Sequence, residues 1–126
     1  MDLRVAQWLP TALISIAIGA VGQLLLKLAA RSGATIAIGD GGIFVSLLRL
    51  AGNPYMWLGA LCFVSSMLLW VRVLNHAQLS TAYPLVSLGY VIVAVLSVVV
   101  LGEHLSLKQI AAIAVIILGV FLLGQR

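Results

Sequence analysis

"LSTAYPLVSLGYVIVAVLSVVVL", residues 79 to 101, contains no charged side chain. Wound as an α-helix at about 1.5 Å per residue, it crosses the roughly 30 Å hydrocarbon layer of a bilayer. Three other stretches are long and apolar in the same way, each with a single charged residue near one end, at about 8 to 30, 55 to 74 and 106 to 123. Lipid offers no partner to backbone N–H and C=O groups, so such spans are helical. A membrane β-barrel would instead show alternating runs of about ten residues, and the sequence has none. The expected fold is an all-α integral membrane protein: four transmembrane helices in a single domain.

Composition supports that reading. Of the 126 residues, 63% are hydrophobic and only 8% are charged. A soluble domain carries about 25% charged residues, so a water-facing surface cannot be made from this chain. The net charge of +4 comes from seven Lys/Arg against three acids. The cations are scattered singly, without a basic tract or interleaved aromatics, so nucleic acid is not an expected partner. They suit segment ends beside anionic membrane lipids. The lone Cys62 excludes a disulfide framework within the chain and reads as a packing residue. The first apolar run exceeds a signal-peptide core in length and is expected to stay in the mature protein.

The joins differ in kind. "NHAQ" (75–78) and "GEHLS" (102–106) are tight turns between antiparallel neighbours, whereas residues 31–54 form an extended loop punctuated by Gly and Pro. Within it Ile43, Phe44, Leu47, Leu48 and Ala51 recur at three and four, with Ser46 and Arg49 on the other side. That spacing suits a short interfacial helix between the first and second spans; an ordered loop is the other reading. Trp8, Tyr55 and Trp57 stand at span ends, where aromatic belts form. Four crossings put the N-terminus, the second turn and the C-terminus on one side, here side A. It carries Arg4, Arg72 and Arg126, while side B carries Lys27, Arg31, Arg49 and Lys108. This balance gives the positive-inside rule no clear orientation to choose.

Groups for catalysis are lacking. None of Asp2, Asp40 and Glu103 lies inside a span, and His76 and His104 fall on opposite sides. No Ser/His/Asp set, metal-ligand spacing or phosphate-cradling Gly loop is visible, so no catalytic residue, metal or cofactor is expected. The polar residues of the spans are more informative. Gly19, Gln23 and Lys27 follow at intervals of four and share a helix face. Lys27 lies roughly 12 Å from the midplane at helical rise, where both a substrate contact and simple snorkelling fit. Gln23, one turn deeper, needs a partner for its amide in a helix or a ligand. Ser15, Gly19 and Gly22 form a small-residue seam that a neighbouring backbone can approach. Ser80, Tyr83, Ser87 and Tyr90 make a polar stripe entering from side A, and Pro84 removes a backbone donor and can kink that helix. The stripe reads as a cavity wall or as helix–helix hydrogen bonding. Glu103 shares side B with Lys27, and the two can pair if the first and third helices are neighbours.

The order of these features resembles the small four-helix members of the drug/metabolite transporter superfamily over nearly the whole chain. "GQLLLK" (22–27), "WLGALCFVSSMLLWVRVL" (57–74), "STAYPLVSLGYVIVAVLSVVVLGEHLS" (80–106) and "GVFLLG" (119–124) carry the likeness. The small multidrug resistance branch is built round a first-helix glutamate, and Gly19 stands at that place here. The departure removes the carboxylate that a proton-coupled exporter of organic cations needs. "GQ" with Lys27, "AYP" (82–84), "SL" (87–88) and the Glu103–Ser106 spacing are similar to the EamA-like small subunits of the undecaprenyl-phosphate-aminoarabinose flippase. That resemblance implies a flippase, or a flippase subunit, of the bacterial inner membrane moving an anionic polyprenyl-phosphate-linked sugar. It implies Lys27 and Arg72 as phosphate stations at opposite leaflets, with Gln23, Tyr83, Ser87 and Tyr90 on the head group; the pairing of Lys27 with Glu103, read from their shared side, would let the lysine exchange the carboxylate for an anionic head group. A homodimer, antiparallel or not, or a heterodimer with a related small subunit is expected. The alternatives are a small-solute or multidrug transporter of the same superfamily and a non-transporting accessory subunit of a membrane glycosyltransferase.

Overall fold

A computed structural model describes residues 3–32 and 42–125; Asp2, Asp40 and Arg126 lie outside them. Among the described residues six α-helices follow in order: α1 Leu3–Arg31, α2 Gly42–Ala51, α3 Pro54–Leu74, α4 Leu79–Ala82, α5 Leu88–Leu101 and α6 Leu107–Gly124. A 3₁₀ turn, Tyr83–Ser87, joins α4 to α5. Among the described residues four segments are long and apolar enough to cross a membrane: Arg4–Arg31, Pro54–Leu74, Leu79–Leu101 and Leu107–Gly124. The protein is a multi-pass membrane protein with a shorter helix between its first two spans.

Helix α1 starts at Leu3, several residues ahead of the aromatic Trp8 where the span was expected to begin. Nothing in "LRVAQW" breaks a helix, and the helix runs on through Pro10, which lies inside it and leaves the Ala6 carbonyl without its i+4 donor. Helix α3 begins on a prepared cap. The Asn53 side chain accepts from Tyr55 N–H at 2.9 Å, and Pro54 takes the first helical position, where no N–H is needed.

The third span is not one continuous α-helix. Pro84 has no N–H to donate, and the chain tightens into the 3₁₀ turn rather than bending smoothly. Ser87 Oγ donates to the Pro84 carbonyl at 2.6 Å and satisfies one of the groups freed by the change. Gly102, at φ +67°, ends α5 in the left-handed conformation that glycine adopts without strain. A capping box then opens α6: Ser106 Oγ accepts from Gln109 N–H and Gln109 Oε1 accepts from Ser106 N–H at 2.7 Å. Ser106→Ala is expected to cost about 1 kcal/mol of stability, read as a lower denaturation midpoint in an SDS titration.

Packing is uneven. Helices α1 and α3 form the closest pair, along the seam of small residues. Ser15 Oγ donates to the Ser66 carbonyl at 2.7 Å, and Ser66 Oγ donates to the Ser15 carbonyl at 2.8 Å. A Cβ on Gly22 would stand 3.3 Å from Cys62 Cβ, and one on Gly59 would stand 3.4 Å from the Gly22 carbonyl oxygen. Interhelical hydrogen bonds in membranes average only about 0.6 kcal/mol, so the close backbone approach contributes more than the serine pair. At side A a cluster of Trp8, Ala12, Val73 and Ala82 closes the bundle, with Trp70 and Leu85 against it. Helix α5 reaches α1 where Gly89 meets Ile16. Helix α6 stays almost wholly exposed.

Candidate functional site

Two polar centres mark the two ends of the bundle. On side B, Lys27 Nζ and Arg31 Nη2 each lie 3.7 Å from Glu103 Oε1. Arg31 Nη1 also donates to the Leu101 carbonyl at 3.2 Å. This cation at the C-terminal end of α5 complements the helix dipole and satisfies one terminal carbonyl. The three charged groups join the end of α1 to the turn after α5 and leave one positive charge in excess.

The pairing is loose. Both contacts exceed the 2.7–3.2 Å of a formed N–H···O bond, and the side chains are about half exposed for Lys27 and a third for Glu103. Pairs of this kind are worth about 0–1 kcal/mol in water. Lys27 has no other hydrogen-bond partner among the described residues and keeps most of its donor capacity for something else. Arg31, tied to Leu101, has a structural task as well. Lys27→Glu and Glu103→Lys are each expected to lower the thermal midpoint in detergent slightly. The swapped double variant is expected to recover most of that loss, and a double variant no better than the worse single one would argue against the pair.

Gly19, Gln23 and Lys27 do not all look the same way. A step of four residues overshoots a turn by about 40°, so the face rotates along the helix. Gly19 lies in the seam, where a Cβ would stand 3.1 Å from Ser66 Oγ. Gln23 is exposed and has no hydrogen-bond partner among the described residues, and Lys27 reaches the α5 turn. The stripe on the third span also opens outward. Tyr83 and Tyr90 are each 64% exposed, while Ser87 is half-buried on its own turn. Within a single chain these residues do not enclose a cavity. Gln23, Tyr83 and Tyr90 present polar groups to whatever covers the outer face.

On side A, Arg72 stands in the last turn of α3, across the membrane from Lys27. It lines a niche of about 200 Å³ together with Gln7, Trp8, Thr11, Val73 and His76. A second crevice, about 490 Å³, lies on side B at the elbow between α2 and α3, lined by Ser32, Leu48, Arg49, Asn53 and Tyr55 among others. Its polar groups are largely engaged: Asn53 Nδ2 donates to Ser32 Oγ at 2.5 Å, and Ser32 Oγ donates to the Ala29 carbonyl. Trp57 Nε1 donates to the Ala51 carbonyl at 2.7 Å and pins the elbow. Helix α2 turns Ile43, Phe44, Leu47 and Leu48 outward and buries Ser46. Its apolar face therefore meets lipid, as suits an interfacial helix.

Two features escaped the sequence reading. Arg31 continues the four-residue series of Gln23 and Lys27, and that spacing could have marked it. The gathering of Gln7, Thr11 and His76 round Arg72 depends on which helices pair, which no local spacing reveals.

Comparison with known proteins places this architecture. Residues 2–125 match the EamA-like transporter family. A probable 4-amino-4-deoxy-L-arabinose-phosphoundecaprenol flippase subunit ArnE of Pseudomonas fluorescens (strain Pf0-1) is 33% identical over 85 residues, 68% of this chain and 75% of that protein. The protein of the same description from Pseudomonas aeruginosa (strain UCBPP-PA14) is 30% identical over 105 residues, covering 83% and 86% of the two chains. A probable flippase subunit ArnF of Proteus mirabilis (strain HI4320) is 40% identical over 73 residues, 56% of this chain and 55% of its own. No solved structure matches the chain.

Proposed function

The chain belongs to the EamA-like transporter family, and from that premise we propose that it moves an anionic polyprenyl-phosphate-linked sugar across the bacterial inner membrane. It acts as a flippase, or as one subunit of one, for modification of a cell-envelope glycan or lipid A. The relatives named as aminoarabinose-phosphoundecaprenol flippase subunits support this substrate class. The observation that carries the reading is the charge layout. Cations end the first two spans on opposite sides, and the one carboxylate among the described residues, Glu103, lies in the turn after α5. Such a path suits an anion and offers a cationic drug no counter-charge in the membrane.

In this reading Lys27 takes the phosphate at the side-B leaflet by exchanging Glu103 for it, and Arg72 takes it at the side-A leaflet. Gln23, Tyr83, Ser87 and Tyr90 hydrogen-bond the sugar, and the polyprenyl tail stays in the bilayer. The outward aspect of Gln23, Tyr83 and Tyr90 favours a path completed by a second subunit, either another copy or a related small chain. The nearly bare α6 is consistent with the same arrangement. The reading assigns no catalytic step, metal or cofactor to the chain.

Native mass spectrometry of the protein released from its own membranes tests the proposal. A retained polyprenyl-phosphate lipid, on an assembly of at least two subunits, is the expected result. A lipid-free protein that carries a substrate-induced proton current in vesicles would point to a solute transporter of the same family instead.

A further inference from the structure

The niche on side A is built with a regularity that neither lysine nor arginine snorkelling requires. Gln7, Trp8 and Thr11 of α1 face Arg72 and Val73 of the last turn of α3 and His76 of the turn that follows it, so the two sides of the antiparallel pair each supply positions spaced i, i+1 and i+4. Trp8, 5% exposed, and Val73, 1% exposed, belong to the buried cluster and fix the two backbones beneath the cavity. The other four side chains stand round it: a guanidinium, an imidazole, an amide and a hydroxyl, with no acid among the lining residues. None of the four makes a side-chain hydrogen bond or ion pair among the described residues. Arg72 could have satisfied the C-terminal carbonyls of α3, as Arg31 does at α5. It does not, and its planar donor fork is left unspent.

We propose that this niche is a binding site for a phosphoryl anion at the side-A membrane surface. Arg72 supplies a bidentate contact to two phosphoryl oxygens. Thr11 Oγ1, the Gln7 amide and the His76 ring donate to the remaining oxygens, and the Trp8 indole walls the site on its apolar side. The volume, about 200 Å³, admits a phosphate group with a few waters at roughly 30 Å³ each. The proposal deepens the function proposed above at one of its two ends, and rests on it only for a lipid as the source of the phosphate. A soluble phosphate reaching the same surface presents the same chemistry.

The full chain in nanodiscs of phosphatidylcholine tests the site in two arms. One adds dioleoyl phosphatidic acid to the bilayer and counts the lipid retained by native mass spectrometry. The other titrates inorganic phosphate and follows ³¹P line broadening. Binding is expected in at least one arm, and the arm that binds identifies the source. Arg72→Gln is expected to weaken it at least tenfold, Arg72→Lys and Thr11→Val less, and Lys108→Gln, a cation on side B, not at all. Circular dichroism checks that each variant is folded. No binding in either arm, binding unchanged in Arg72→Gln, or an equal loss in Lys108→Gln would overturn the proposal. Lipid transport is scored separately: if it is absent while the niche still binds phosphate, the transport reading fails and the site stands.

Discussion

Lys27→Ala is expected to lower transport of a polyprenyl-phosphate-linked sugar by at least tenfold while the chain still folds and inserts. The side chain is half exposed, holds Glu103 only at 3.7 Å, and has no packing task in the α1–α3 seam. Its removal should therefore cost the fold less than about 1 kcal/mol. A hydrogen bond from a charged donor to an anion contributes about 1.5–3 kcal/mol, which corresponds to roughly tenfold to a hundredfold in affinity. The two magnitudes separate a site residue from a structural one. Arg31→Ala should show the reverse balance, with a larger loss of stability, because it uncaps the Leu101 carbonyl. Initial rates in vesicles together with an SDS-denaturation midpoint measure both quantities for each variant.

Gly59→Leu is expected to prevent the first two spans from packing. A Cβ there already stands 3.4 Å from the Gly22 carbonyl oxygen and 3.5 Å from both Leu25 Cβ and Leu26 Cδ2. A leucine adds three further carbons to a place bounded by the Gly22 carbonyl and Leu25 Cβ, which cannot rotate away as the Leu26 tip can. Overpacking of this kind costs about 1–3 kcal/mol in a soluble core. Here it also separates Ser15 from Ser66 and displaces the buried cluster at side A. Gly119→Leu on α6 is the control, since nothing of the chain lies within 4 Å of its Cβ position. The expected outcome is loss of a monodisperse peak on size exclusion in detergent for Gly59→Leu, and a retained peak for Gly119→Leu.

Residue pattern and fold agree where the physics is local. The four spans follow from the length of the apolar runs, because lipid leaves the backbone no alternative to a helix. The seam between α1 and α3 was legible in Ser15, Gly19 and Gly22, since small residues at three and four mark a close approach whatever the partner. The apolar side of α2 was legible in the spacing of Ile43, Phe44, Leu47 and Leu48. The break at Tyr83–Ser87 was only half legible: Pro84 announces a disturbance, but whether a helix bends or tightens depends on what stabilises the freed carbonyls.

The functional site divides the same way. Lys27 and Glu103 share a side by simple counting of crossings, so their approach could be anticipated. Arg31 was passed over because a cation at a helix end has an ordinary explanation, and part of that explanation holds, through Leu101. The outward aspect of Tyr83 and Tyr90 could not be read from spacing, which gives a face but not the neighbour it meets. Gln7 and Thr11 are some sixty residues from Arg72 and His76 in sequence, and only the pairing of α1 with α3 joins them.

The central claim is that the path carries an anionic lipid head group between a lysine at one leaflet and an arginine at the other. The most direct measurement reconstitutes the chain, with any subunit that copurifies, in vesicles bearing a fluorescent polyprenyl-phosphate sugar in one leaflet. Quenching from the outside then reports the lipid's movement. Protein-dependent transfer between leaflets, lost in Lys27→Ala and reduced in Arg72→Gln, is the predicted result. Transfer that equals protein-free vesicles, or that persists unchanged in both variants, would contradict it.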